Sequence, residues 1–144
     1  MKEIKYDSGI YLLEILLDNK TDIKVGKKGK FSFPAGYYYY SGSAQRILKS
    51  RLKRHLSKDK KLRWHIDYLI DKGKVLDFHT WPAGKKGECV VAGLLQSKAG
   101  GKVVVPGFGS SDCKCNTHLY YFERQLDKSL LPDKIKIGSV DIDR

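Results

Sequence analysis

The sequence predicts a single domain of α/β or α+β class, and three observations carry that prediction. The chain has 144 residues, and at ~100–200 residues per domain that length makes one domain, residues 1–144. Its first third reads as strands, short apolar and aromatic blocks punctuated by glycine, before a segment of helical period begins. Helix, strand, helix and an irregular tail then follow, the alternation expected where helices pack on a sheet.

The first expected strand covers residues 9–17, where Ile10, Leu12 and the block Ile15, Leu16 and Leu17 are apolar and Asp18-Asn19 ends the run. Residues 22–25 and 30–33, around Gly26 and Gly29, read as a hairpin, an added unit at about 18–36. Tyr37, Tyr38, Tyr39 and Tyr40 have high strand propensity and form an expected central strand, stopped by Ser41-Gly42-Ser43. From 45 to 56 the period turns helical, with Leu48, Leu52 and Leu56 as one buried stripe. Residues 63–70 are a second helix, packed inward through Trp64 and Tyr68 and ended by Gly73. Residues 74–81 alternate as a strand closed by Pro82. A third helix runs from near Gly87 to about Lys98, with Val91, Leu94, Leu95 and Lys98 at helical spacing and Gly100-Gly101 as its stop. From about residue 100 a Gly/Ser/Cys-containing extension carries strand-like residues 103–105 and 118–122 and a short helix over 123–131.

Composition bounds the function. A chain that is 41% hydrophobic and 11% aromatic can build a core, which excludes disorder as the main state. No stretch reaches the ~18 to 20 apolar residues of a membrane span, and the first residues lack an apolar signal core, so a cytoplasmic protein is expected. Three cysteines, two of them two positions apart, do not make a disulfide framework and fit a reducing compartment. Lysine and arginine number 28 against 16 acidic residues, a net charge of +12. That excess points to a polyanion, nucleic acid before membrane, with a basic surface serving only solubility as the alternative.

Gly9-Ile10-Tyr11 on the first strand, Tyr40-Ser41-Gly42 at the end of a later one, and a basic helix directly after it form the most informative pattern. Here the sequence resembles the GIY-YIG endonuclease superfamily, and in the string Tyr40 to Ala44 a standalone branch of it. Ser41 stands where the superfamily usually has an apolar residue. The resemblance implies a small central antiparallel sheet flanked by helices, with the two tripeptides on adjacent strands. It carries over an arginine two turns past the second glycine, matched by Arg51, and a histidine or tyrosine one turn later, matched by His55. It also implies a single metal-binding glutamate early in the third helix, matched by Glu88. By that resemblance Tyr11 is the general base, Tyr40 holds water or phosphate, Gly9 and Gly42 are structural, and the cofactor is one Mg²⁺ or Mn²⁺.

The residues can be read without the resemblance. At helical pitch Ile47, Arg51 and His55 form a row beside the leucine stripe, at the edge where a cleft forms. Arg46, Lys49, Lys53 and Arg54 occupy the other sides and are expected phosphate contacts. A free tyrosine titrates near ~10, so Tyr11 as a base needs a neighbouring cation, which Arg51 can provide. For both Tyr11 and Tyr40 the alternative is packing with a satisfied hydroxyl. Glu88, after Lys85 and Lys86, is equally a residue favoured by a helix dipole, although its neighbours Val91 and Leu95 turn it towards the core side.

Cys113, Cys115 and His118, with Cys89 or His79, could supply four zinc ligands, but C-x-C-x2-H is not a common zinc spacing. A buried thiol pair and a substrate-contacting loop are the other readings. His65 and Asp67, two apart on a helix, make a poor metal pair. The hairpin lysines Lys24, Lys27, Lys28 and Lys30 are either a nucleic-acid-binding addition or decoration. The expected activity is metal-dependent endonucleolytic hydrolysis of phosphodiester bonds in DNA, with a flap, a lesion, a junction and a specific site all open as targets. The alternative is a non-catalytic module on the same fold that binds DNA or RNA, and a cysteine-based redox or zinc protein is a third class.

Overall fold

The computed structural model describes residues 4–58, 60–110 and 113–135. Its centre is a five-stranded antiparallel sheet of order β5-β1-β4-β7-β6, formed by β1 (Gly9–Leu17), β4 (Gly36–Ala44), β5 (Lys74–Trp81), β6 (Lys102–Val103) and β7 (Leu119–Phe122). Strands β2 (Thr21–Val25) and β3 (Gly29–Phe33) pair separately as a hairpin. The helices are α1 (Leu48–Leu56), α2 (His65–Lys72) and α3 (Gly87–Ser97), so the fold is mixed α+β, a small sheet flanked by helices. No helix of the described residues is long and apolar enough to cross a membrane.

Side chains alternate across β1 and divide the core in two. Tyr11, Leu13 and Ile15 point to one face, where Leu48 and Leu52 of α1, Ile66, Leu69 and Ile70 of α2, and Ile23, Val25 and Phe33 of the hairpin cover them. Ile10 and Leu12 point to the other, under Val91, Ala92 and Leu95 of α3 and Leu126 of the C-terminal segment. Buried on both faces, β1 is therefore a near-continuous apolar run, which is why it is legible as one strand.

Four expectations change. The tyrosine strand runs on through Ser41, Gly42 and Ser43 to Ala44, because each of these residues is paired with β1. Helix α1 begins at Leu48, not 45: Ala44 still belongs to β4, and Ile47 turns the chain with φ +54°. Leu56 is 39% exposed, and the third buried place on α1 is taken by His55. Residues 123–131 are not an α-helix but an irregular segment with a 3₁₀ turn at Lys128–Leu130. Their donors serve other partners: Leu126 N–H bonds the Tyr39 hydroxyl at 2.8 Å, and Lys128 Nζ reaches Glu14 at 3.0 Å and Asp77 at 3.3 Å.

Candidate active site and metal cluster

Register places the two tripeptides side by side, with Tyr11 directly opposite Gly42 and Leu13 opposite Tyr40. A Cβ built on Gly42 would stand 2.5 Å from Cζ of Tyr11, so only glycine lets the phenol ring lie across the neighbouring strand. Gly9 answers a similar need on the other side, with φ +151° and the Trp81 carbonyl where a side chain would begin. Gly42→Ala is expected to cost about 1–3 kcal/mol through overpacking and to push Tyr11 away from His55. Urea unfolding at neutral pH measures this; unchanged stability would mean that the strand yields instead.

Tyr11, Tyr40, Arg51 and Glu88 line one open cleft of about 520 Å³, and His55 lies behind it, bonded to Tyr11. The Tyr11 hydroxyl oxygen is 2.9 Å from His55 Nε2. Burial drives His55 down to about 3, so it is neutral at physiological pH. Its Nδ1 has no hydrogen-bond partner among the described residues. An unpaired acceptor costs less than an unpaired N–H, so the proton belongs on Nε2, which donates to Tyr11. Burial raises the Tyr11 hydroxyl well above its ordinary value, and the Arg51 charge and hydrogen bond oppose it. Tyr40 is also raised, by burial first and then by Tyr11 and Glu88. Both are phenols, not phenolates, at rest.

Arg51 is held at the cleft wall by two contacts. Its guanidinium donates to the Ser43 carbonyl at 3.0 Å and lies over the Trp64 ring at 4.7 Å. Arg54 covers the same ring at 4.3 Å. Trp64 is therefore part of the cleft rather than only of the core. Arg46, Lys49 and Lys53 are exposed on or beside α1, as expected of phosphate contacts, while Arg54 has its guanidinium bonded to buried Asp67 and to the Lys61 carbonyl.

Glu88, in the first turn of α3, is 8% exposed. Ser41 hydroxyl donates to its backbone carbonyl at 2.8 Å and so fastens α3 to β4. Ser43 hydroxyl donates to its Oε2, and Oε1 is 3.3 Å from His118 Nδ1. Glu88 thus brings one carboxylate to the cleft wall, each of its oxygens against a neighbouring side chain.

Beside this cleft Cys89, Cys113, Cys115 and His118 form a cluster of three thiols and one imidazole able to hold a metal ion, their donor atoms all within 4.8 Å of one another. His79 takes no part in it. The sequence reading did not foresee Ser43, Trp64, His65, Lys85 and Gly109 as cleft residues. They come from turns, a strand end and the start of α2, whose approach no local period records. For Gly109 a trace exists in the run Gly107-Phe108-Gly109: its φ is +70°, and a Cβ there would strike Tyr40 at 2.7 Å.

A family model matches residues 10–136, nearly the whole chain. The chain belongs to DUF123, a family described as a domain of unknown function. The DUF123 match takes in both the cleft, from Tyr11 to Gly109, and the cysteine–histidine cluster, leaving Gly9 just outside. No curated protein and no solved structure matches the chain.

Proposed function

We propose that this DUF123 domain is a divalent-metal-dependent endonuclease that hydrolyses phosphodiester bonds in DNA, with RNA as the competing substrate. The convergence of Tyr11, Tyr40, Arg51 and Glu88 on one open cleft is the observation that supports the reading most strongly. Residues far apart in the chain meet there in the chemistry such a reaction needs: a cation for the phosphate, a carboxylate for metal, and a hydroxyl poised by a neutral imidazole. A Mg²⁺ or Mn²⁺ ion held by Glu88 would supply charge stabilisation at the phosphorus oxygens and the leaving oxygen.

The protein groups do the rest. Arg51, fixed against Trp64 and Ser43, meets a phosphate oxygen and gains strength as charge builds there. Tyr11 accepts hydrogen bonds from His55 and Arg51, both of which favour a developing phenolate against the effect of burial. To act as base it must first release its own proton to solvent through the open cleft, a loss that His55 and Arg51 favour and burial opposes; the phenolate then takes a proton from the attacking water and returns to phenol. Tyr40 offers a second hydroxyl on the same wall.

The hairpin extends the surface. Lys24 and Lys27 line a second cavity of about 570 Å³ that shares Arg63 and His65 with the cleft, so a strand leaving the cleft meets further positive charge. This favours the hairpin as a binding element over decoration.

Incubating labelled duplex, flap and junction DNA, and the corresponding RNA, with the protein and Mg²⁺ or Mn²⁺ tests the proposal directly. Metal-dependent cleavage of DNA supports it. Tight binding with no cleavage under any divalent cation would replace it by the non-catalytic binding module. Binding itself should weaken steeply with salt, with about −0.9 in the slope of log K against log[salt] for each phosphate neutralised. Lys49→Ala and Lys53→Ala should each flatten that slope by about one contact, equally for all sequences. Losses that depend on sequence would remove these lysines from the backbone contacts.

A further inference from the structure

We infer that Cys89, Cys113, Cys115 and His118 bind one Zn²⁺, and that Glu88 orients the histidine ligand, so that the metal fastens the C-terminal loop to the floor of the cleft. The inference does not depend on nuclease activity.

The distances carry it. Zinc binds thiolate at ~2.3 Å and imidazole at ~2.0–2.1 Å in a tetrahedron, which sets neighbouring donors ~3.5–3.8 Å apart. In the structure His118 Nε2 lies 3.3 Å from Cys113 Sγ and 3.8 Å from Cys89 Sγ. All four donors fit within 4.8 Å of one another. Three thiols and an imidazole are a soft donor set, suited to zinc and unsuited to Mg²⁺ or Mn²⁺.

The ligands are fixed from outside the cluster. Cys89 sits in the first turn of α3, while the other three come from the loop before β7. The His118 backbone is tied on both sides, its N–H to the Phe108 carbonyl at 2.9 Å and its carbonyl to the Ser41 N–H at 2.9 Å. With Nε2 turned to the sulfurs, its Nδ1 faces Glu88 Oε1 at 3.3 Å. A carboxylate on the far nitrogen fixes the tautomer and orientation of a metal-bound histidine and strengthens its basicity. Glu88 and Cys89 are consecutive, so a metal on the thiolate constrains the carboxylate beside it. In the stretch 104–118, which has no helix or strand among the described residues, four such bonds replace the hydrogen-bonded order that regular structure would provide.

The test begins with the purified full chain. Elemental analysis should find one zinc per chain, and after chelation and reduction Co²⁺ should restore the visible and thiolate-to-metal absorption of a tetrahedral sulfur-rich site. Cys113→Ser and Cys115→Ser should lose the metal. Because these variants can also fail to fold, His118→Cys serves beside them and should keep it in a site of four thiolates. A folded, fully reduced wild type that takes up neither zinc nor cobalt overturns the site, as does a disulfide between two of these cysteines in freshly isolated protein. Stoichiometric iron with a visible chromophore overturns zinc as the occupant. In competition with a chromophoric chelator, Glu88→Gln should bind zinc about 10–100-fold more weakly; affinity equal to wild type would overturn the role given to Glu88. None of these readouts uses DNA, so the site can stand if cleavage fails, and the reverse.

Discussion

Arg51→Ala will lower single-turnover cleavage by about 10²–10³-fold, the usual cost of removing one positioned donor at developing charge, and will also weaken DNA binding. Glu88→Ala will abolish cleavage with DNA affinity unchanged or raised. The difference is electrostatic. On the proposed mechanism Arg51 attracts phosphate before the reaction and more strongly during it, so its loss enters both measurements. A carboxylate without its cation only repels phosphate, so Glu88 is missed in cleavage and not in binding. Arg51→Lys separates charge from shape: lysine keeps the charge but cannot both donate to the Ser43 carbonyl and lie flat on Trp64. It should recover binding and little of the rate. Rapid-quench cleavage and fluorescence anisotropy, read on the same folded variants, decide the matter. If Glu88→Ala cleaves normally with Mg²⁺, the metal does not sit on that carboxylate.

The strands are legible where one physical signal dominates. β1 is buried on both faces, so its apolar run can hardly be read otherwise. Sequence reading ends β4 at Tyr40, since serine and glycine are turn residues when judged locally. Pairing with Leu12, Tyr11 and Ile10 overrides that preference, and the same pairing puts Gly42 under Tyr11. On α1 hydrophobicity favours Leu56 for the buried place. His55 takes it because the Tyr11 hydroxyl and the Trp64 ring, 5.8 Å away between centroids, give the imidazole an environment that a period cannot express.

The site divides in the same way. Tyr11, Tyr40, Arg51 and Glu88 are picked out in the sequence only through a resemblance, and the fold brings all four to one cleft. Trp64 and Ser43 are not picked out, for their roles arise from where a helix cap and a strand end meet. The metal cluster is intermediate: three of its donors lie within six residues of each other, but Cys89 joins them only once α3 packs against β4 and β7. C-x-C-x2-H does not by itself specify a metal site, because the fourth donor of the cluster is brought in by the fold.

Asp67→Ala will destabilise the protein by about 1–3 kcal/mol, the range for leaving buried hydrogen-bond partners unsatisfied, since Arg54 is itself 24% exposed and keeps access to water. Asp67 is fully buried, and its carboxylate accepts four hydrogen bonds. Arg54 provides two, at 2.9 and 3.0 Å, and the backbone N–H groups of Arg63 and Trp64 provide the others, at 2.7 and 2.8 Å. Burial alone would raise this carboxyl, but Arg54 and the two N–H groups outweigh it and hold it below its usual value. A carboxyl whose folded value lies below its unfolded one, ~3.9, binds more protons when unfolded between the two. Its contribution is thus complete at neutral pH and is lost as the pH falls through the folded value. Urea unfolding of wild type and Asp67→Ala should show the full gap at pH 7 and a smaller one below about pH 4. A gap under about 1 kcal/mol at pH 7, within the range of an exposed ion pair, would show that the pair is effectively solvated. The loss should also reach the cleft. Asp67 holds Arg54 against Trp64, and Trp64 carries Arg51 on the same ring, so the guanidinium at the cleft wall depends on a carboxylate that does not line the cleft.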